Sequence, residues 1–205
     1  MSLLDELLTA DFRELDRRAA DLYLEAVAHV TPEQLRLPTP CADWTVHGLL
    51  RHQVSQDEGF AAAARGEGET LSVWRNGLLG DDPYGAAKRS LALVTEAFGE
   101  DGVLEREFVL PEVRQGGGFP ARLAISFHFV DLVVHAWDVA AAVGAAWEPD
   151  AALVEAALKV AAIVPSDPET RGPGLSFDQV SPVPAGAPGK DELLGALGRD
   201  PGWRP

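Results

Sequence analysis

Between Leu3 and Val30 the apolar positions Leu4, Leu7, Leu8, Phe12, Leu15, Ala19, Leu22 and Ala26 recur at helical spacing, with Asp, Glu and Arg between them. That pattern predicts one long amphipathic helix ending near Thr31-Pro32. The next segment, LRLPTPCADW, holds two prolines and is followed by Thr45; Asp43 or Thr45 can cap a second helix over about Thr45 to Arg65, closed by Gly66-Glu67-Gly68. Asp82-Pro83 opens a third, to Phe98 and Gly99. From Gly102 to Gly118 a weak alternation (Val103, Glu105, Glu107, Val109) breaks at Pro111 and at Gly116-Gly117-Gly118, as a short strand or extended loop would. Phe119-Pro120 opens a fourth helix through about Val143, stopped by Gly144, and a fifth runs from about Pro149 to Val164. Pro and Gly then recur through Ser166 to Gly189, which reads as mostly irregular with a short strand over Leu175 to Val183; only Lys190 to Gly198 returns to helix.

Four long helices with one loop-rich crossover predict an all-α four-helix bundle over residues 1–165, with a Pro/Gly-rich extension over 166–205 packed on or beside it. Bundles build metal and cofactor sites from inward side chains of facing helices. At 205 residues, 46% hydrophobic and 24% charged, the chain can bury a sizeable core. Its net charge of -15 argues against nucleic acid or an anionic membrane surface as partner. The opening MSLLDELLTADF is acidic where a secretory signal needs a basic region and an apolar run. A single cysteine, Cys41, excludes an internal disulfide framework, a Cys-rich zinc module and a CxxC pair, so a cytoplasmic location is expected. Leu123 to Trp147 is apolar enough to suggest a membrane span, but His128, Asp131, His135 and Asp138 interrupt it and point to a helix buried in protein.

Those four residues are, with Ser126, the only polar ones in ISFHFVDLVVHAWDVAAAV. At about 100° per residue, Asp131, His135 and Asp138 lie roughly −60°, −20° and −80° from His128, one polar stripe on an otherwise apolar helix. A buried carboxylate among imidazoles must be paired or coordinated. Asp131 and His135, four apart, meet over one turn as two ligands of one metal ion would, although such a pair can also simply bond to itself. On the second helix His52 flanks the apolar stripe (Val46, Leu49, Leu50, Phe60), while His47 points about 140° away. His52, Asp131 and His135 would form a three-ligand set, the zinc pattern that keeps a fourth position open. Two histidines and a carboxylate suit iron as well.

The segments PTPCADWTVHGLLRHQV, FVDLVVHAWDVAAAVG and the closing GRDPGW resemble those of actinobacterial metal-binding proteins related to the N-terminal domain of mycothiol-dependent maleylpyruvate isomerase, within the DinB-like helical superfamily. The resemblance implies a DinB-like bundle in which His52, Asp131 and His135 hold a divalent metal, commonly zinc, with nickel or iron as alternatives. The isomerase has glutamate where this chain has Asp131. It also carries a further C-terminal domain where only about 40 residues follow the fifth helix here, which argues against maleylpyruvate isomerisation itself.

By this resemblance the expected activity is that of a mycothiol-dependent transferase or isomerase-like enzyme whose metal binds and activates a thiolate against an electrophilic substrate. Gln56, one turn after His52, and His128 are the candidates to orient substrate or move a proton. His128 is alternatively a fourth ligand or a core histidine. Asp138, three after His135, would accept a hydrogen bond from an imidazole or pair with an arginine. Trp44 and Trp137 read as packing anchors or pocket rim, and Cys41 has no basic neighbour in sequence. Two other readings stand beside this one: a metal-dependent hydrolase using bound water, and a non-catalytic metal or small-ligand binding protein. The partners expected are a small thiol and its substrate, with no nucleic acid and no membrane; a homodimer is compatible.

Overall fold

The computed structural model describes residues 2–41, 44–113, 116–172 and 176–205. Among the described residues seven α-helices follow one another: α1 (Leu3–Thr9), α2 (Arg13–Val27), α3 (Val46–Ala64), α4 (Pro83–Phe98), α5 (Ala121–Val143), α6 (Ala151–Ala161) and α7 (Gly189–Ala196). Helices α2, α3, α4 and α5 form the bundle, α2 packing mainly on α5 and α3 on α4. This is the all-α bundle expected from the sequence.

The single N-terminal helix of the periodicity is two. Thr9 turns its hydroxyl back onto the carbonyls of Asp5 and Glu6, and Ala10 is extended. Asp11 Oδ1 accepts from the Arg13 amide and starts α2. Arg122 of α5 donates to the carbonyls of Thr9 and Ala10 that the break leaves open (3.2 and 3.4 Å). Phe12 can then drop into the core against Phe129, ring centroids 5.5 Å apart.

Helix α3 starts where the sequence placed it, Thr45 Oγ1 accepting from the Gly48 amide; the other candidate cap, Asp43, lies outside the described residues. The connection from α3 to α4 folds back onto α3 because Gly59 has no side chain: a Cβ there would sit 2.3 Å from the Trp74 ring. Asp82 caps α4 with Pro83 in its first turn.

Between α4 and α5 the weak alternation becomes a two-stranded antiparallel hairpin, β1 (Glu107–Val109) on β2 (Gly118–Pro120), with Phe108 opposite Phe119. Phe119-Pro120 therefore belongs to a strand and not to the helix, which begins at Ala121. Proline can end an edge strand because the amide it lacks would have faced outward. Helix α5 is long and apolar enough to cross a membrane by length and composition, yet 89% of its apolar window is buried inside the protein.

Beyond α6 the chain is held by side chains more than by secondary structure. Arg171 donates to the carbonyls of Pro165 and Asp178, and the described part of the expected strand, residues 176–183, is irregular. Helix α7 packs on α6 and buries Leu193 and Leu194, with Leu197 just beyond its end.

Candidate metal centre

Helix α5 is surrounded by protein on nearly every side, so its polar groups must find partners there. They do so in two layers. The upper layer joins α5 to the N-terminal half of α3: one ligand atom each of His52, Asp131 and His135 lies within 4.8 Å of the others. His135 Nε2 is 3.3 Å from Asp131 Oδ1, and its ring meets that of His52 edge-on, centroids 5.4 Å apart. On its far side His135 Nδ1 donates to Asp138 Oδ2 (2.8 Å), leaving Nε2 directed at the cluster. Asp131 Oδ2 is buried without a hydrogen-bond partner.

Electrostatics follow from these contacts. Burial pushes the His52 imidazole down to about 4, against the pull of Asp131, so its lone pair is available at neutral pH. Burial also resists the charge on Asp131, but His135, then His52 and His128, hold its carboxyl down to about 2. His135 is driven the other way: desolvation is outweighed by Asp131 and Asp138, and its imidazole rises to about 9. Burial likewise opposes the charge on Asp138, and Arg199 and His135 keep its carboxyl below the usual range.

The lower layer holds His128. Its Nδ1 donates to Asp16 Oδ1 (2.7 Å) and its Nε2 to Asp57 Oδ1 (3.1 Å). Ser90 Oγ and Gln53 Nε2 also donate to Asp57 (2.6 and 2.8 Å), so one polar cluster ties α2, α3, α4 and α5 together. Phe60 and Phe98 close the ring edges. His128 is thus neither a fourth ligand nor placed to move a proton at the upper cluster. The angular stripe was right, but seven residues of helix also rise about 10 Å, and a projection down the axis does not show that separation. Asp57 pairs with Leu50, Val54 and Ala61 at helical spacing, and Asp16 with Phe12, Ala19 and Tyr23. That shared face was the signal that both carboxylates point inward.

Gln56 lies on α3 one turn beyond His52, but its amide is engaged: Nε2 donates to Glu112 Oε2 (3.0 Å), whose other oxygen accepts from Arg75 Nε (3.0 Å). Glu112 acts electrostatically on His52 and was not visible as a site residue in the sequence. The Trp44 ring lies against the His52 ring, centroids 4.2 Å apart and planes tilted by 36°, and so covers the site as well as packing. His47 is exposed. Asp138 takes both of its expected partners, His135 and an arginine, Arg199, whose Nη2 and Nε reach its two oxygens (2.9 and 3.2 Å). The same Nη2 lies 3.3 Å from Cys41 Sγ, so the basic neighbour that Cys41 lacks in sequence comes from the far end of the chain.

Residues 12–140 match the family model of the mycothiol maleylpyruvate isomerase N-terminal domain. The chain is 33% identical over 184 residues to the uncharacterized protein Rv0738 of Mycobacterium tuberculosis strain H37Rv, covering 89% of this chain and 94% of that one. The same figures hold for its counterpart in strain CDC 1551, the uncharacterized protein MT0763. Among solved structures, the mycothiol-dependent maleylpyruvate isomerase superposes with a TM-score of 0.57 at 17% identity, covering 86% of this chain and 74% of that one. A histidine-to-alanine variant of that enzyme gives 0.58 at 16%, with the same coverage. At this identity the superpositions establish the shared fold.

Proposed function

The chain belongs to the mycothiol maleylpyruvate isomerase N-terminal domain family, and from that premise we propose that it is a cytoplasmic divalent-metal enzyme working with a low-molecular-weight thiol, mycothiol, on an electrophilic substrate, as a transferase or isomerase. His52, Asp131 and His135 would hold the ion, zinc being the first expectation for two imidazoles and a carboxylate. The observation that carries the reading is Asp131 Oδ2, a buried carboxylate oxygen with no hydrogen-bond partner beside two imidazoles within ligand reach. His135 meets this carboxylate only through Oδ1 (3.3 Å), so the desolvation cost of the bare Oδ2 is one that a bound cation would remove.

A divalent ion held by these three residues would leave a position for a thiol and would favour its deprotonated form there. The protein's own groups prepare that position. Asp138 holds the His135 ring by Nδ1 and presents Nε2. His52 is kept neutral by burial and is covered by the Trp44 indole, which limits its rotation and its access to water. Gln56, Glu112 and Arg75 form a hydrogen-bonded polar chain next to His52, and Arg75, engaged there through Nε, is well exposed and able to meet an acidic group on the thiol or its substrate. Residues 1–165 are the bundle carrying the site in this reading, and 166–205 an extension packed on it.

Elemental analysis of the purified protein and of His52→Ala and His135→Ala tests the assignment, followed by calorimetric titration with mycothiol with and without chelator. One ion per chain, lost in both variants, with thiol binding that disappears in chelator, is the expected result. No metal after incubation with zinc or nickel would overturn it.

A further inference from the structure

The residue that completes the site comes from outside the bundle. Arg199 follows α7, and its side chain is 3% exposed against a fully buried Asp138. All three guanidinium nitrogens are committed: Nε to Asp138 Oδ1 (3.2 Å), Nη2 to Asp138 Oδ2 (2.9 Å) and Cys41 Sγ (3.3 Å), and Nη1 to the Leu197 carbonyl (3.0 Å). A two-point fork fixes a carboxylate in plane as well as in place, which a single contact does not. The oxygen that meets Nη2 is also the one that accepts from His135 Nδ1.

The arm bringing Arg199 there is rigid. Leu193, Leu194 and Leu197 are buried, and the Arg199 amide donates to the Leu194 carbonyl (2.8 Å). Gly198 turns the chain with φ +78, and a Cβ at that position would meet the Asp178 carbonyl oxygen at 2.5 Å. Through the same Nη2 the guanidinium also meets Cys41, three positions before Trp44, whose ring lies against His52.

We propose that Arg199 is a positioning residue for the metal site: by locking Asp138 it fixes the His135 ring, which makes the C-terminal extension a working part of the centre. The proposal rests on the metal-site reading above. Removing such a partner behind a ligating histidine typically weakens metal affinity about 10–100-fold.

Cobalt affinity by chelator competition, together with the visible spectrum of the cobalt-loaded protein, is the measurement, on the full chain and on Arg199→Gln, Arg199→Lys and Gly198→Ala. Wild type should bind one equivalent. Arg199→Gln should also bind one, about 10–100-fold more weakly and with a shifted spectrum. Arg199→Lys should recover part of the affinity, and Gly198→Ala, which keeps the arginine but displaces its backbone, should resemble Arg199→Gln. Wild-type affinity and spectrum in a folded Arg199→Gln would overturn the proposal. A proton-detected nitrogen spectrum of the His135 ring in metal-free wild type and Arg199→Lys separates the two readings. If wild type binds no cobalt, the metal assignment fails. The positioning role then stands or falls on whether the His135 Nδ1 proton, slowly exchanging in wild type, exchanges faster in Arg199→Lys, whose single-point contact holds Asp138 only in part. If Arg199→Gln does not fold, the same comparison decides.

Discussion

His128 carries a hydrogen bond on each ring nitrogen, and both go to carboxylates removed from water, Asp16 and Asp57. Desolvation works against a charge on this ring, but the two carboxylates outweigh it and hold the imidazole up at about 10, so it is an imidazolium at neutral pH. Deleting one partner from a buried ionic cluster leaves the others uncompensated, at a cost of about 3–5 kcal/mol. His128→Leu should show that loss in urea unfolding with chelator present; a loss below about 1 kcal/mol would mean that the carboxylates are not charged in the core. The imidazole was readable in the sequence as a polar residue on an apolar helix. Its partners were harder to see, because an acid between apolar residues at helical spacing is usually taken for the edge of a solvated face.

Elements were legible where a single residue type sets their ends. Thr45 and Asp82 each accept from an amide of the first turn, and α3 and α4 begin one residue later; Asp150 does the same for α6, which starts two residues after the expected Pro149. The break between α1 and α2 has no proline or glycine to announce it, and the apolar positions keep helical phase straight across it. Tertiary contacts decide it: Phe12 enters the core, and Arg122 donates to the carbonyls of Thr9 and Ala10. Arg122→Ala should therefore loosen α1 selectively by about 1–1.5 kcal/mol, the net worth of such hydrogen bonds. Amide exchange is the readout: protection in residues 3–9 should fall while α2 and α5 keep theirs, and equal loss in all three would refute a local role. The hairpin was equally out of reach, because Phe119-Pro120 reads as a helix start until Phe108 is found across from it. Arg199 was hidden for a related reason, since no local spacing links a residue near the C-terminus to Asp138, 61 positions before it.

Across the whole molecule the buried charges make stability depend on pH from both sides. Asp131 and Asp138 are held below their ordinary values, so what they contribute is present above about pH 4 and fades in acid, for Asp131 through about 2. His128 acts in the opposite sense. Its folded value of about 10 stands above the ordinary 6.5, so its contribution is complete below pH 6.5 and is lost as pH climbs through about 10. His135, at about 9 without metal, adds to the same alkaline decline. His128 is bonded to Asp16 on α2 and Asp57 on α3, and Asp57 also accepts from the neutral Ser90 on α4, so among the described residues no second cation pairs with either carboxylate when His128 deprotonates. Urea unfolding of the metal-free protein should accordingly show a falling midpoint between pH 6.5 and 10, at constant slope against denaturant. In a His128→Gln background the overall level should be lower and the remaining slope shallower, because of the two raised imidazoles His135 alone is left. A wild-type midpoint that stays flat across that range would mean that His128 is neutral between its two aspartates, and the lower layer of the core would then have to be an ordinary hydrogen-bonded cluster.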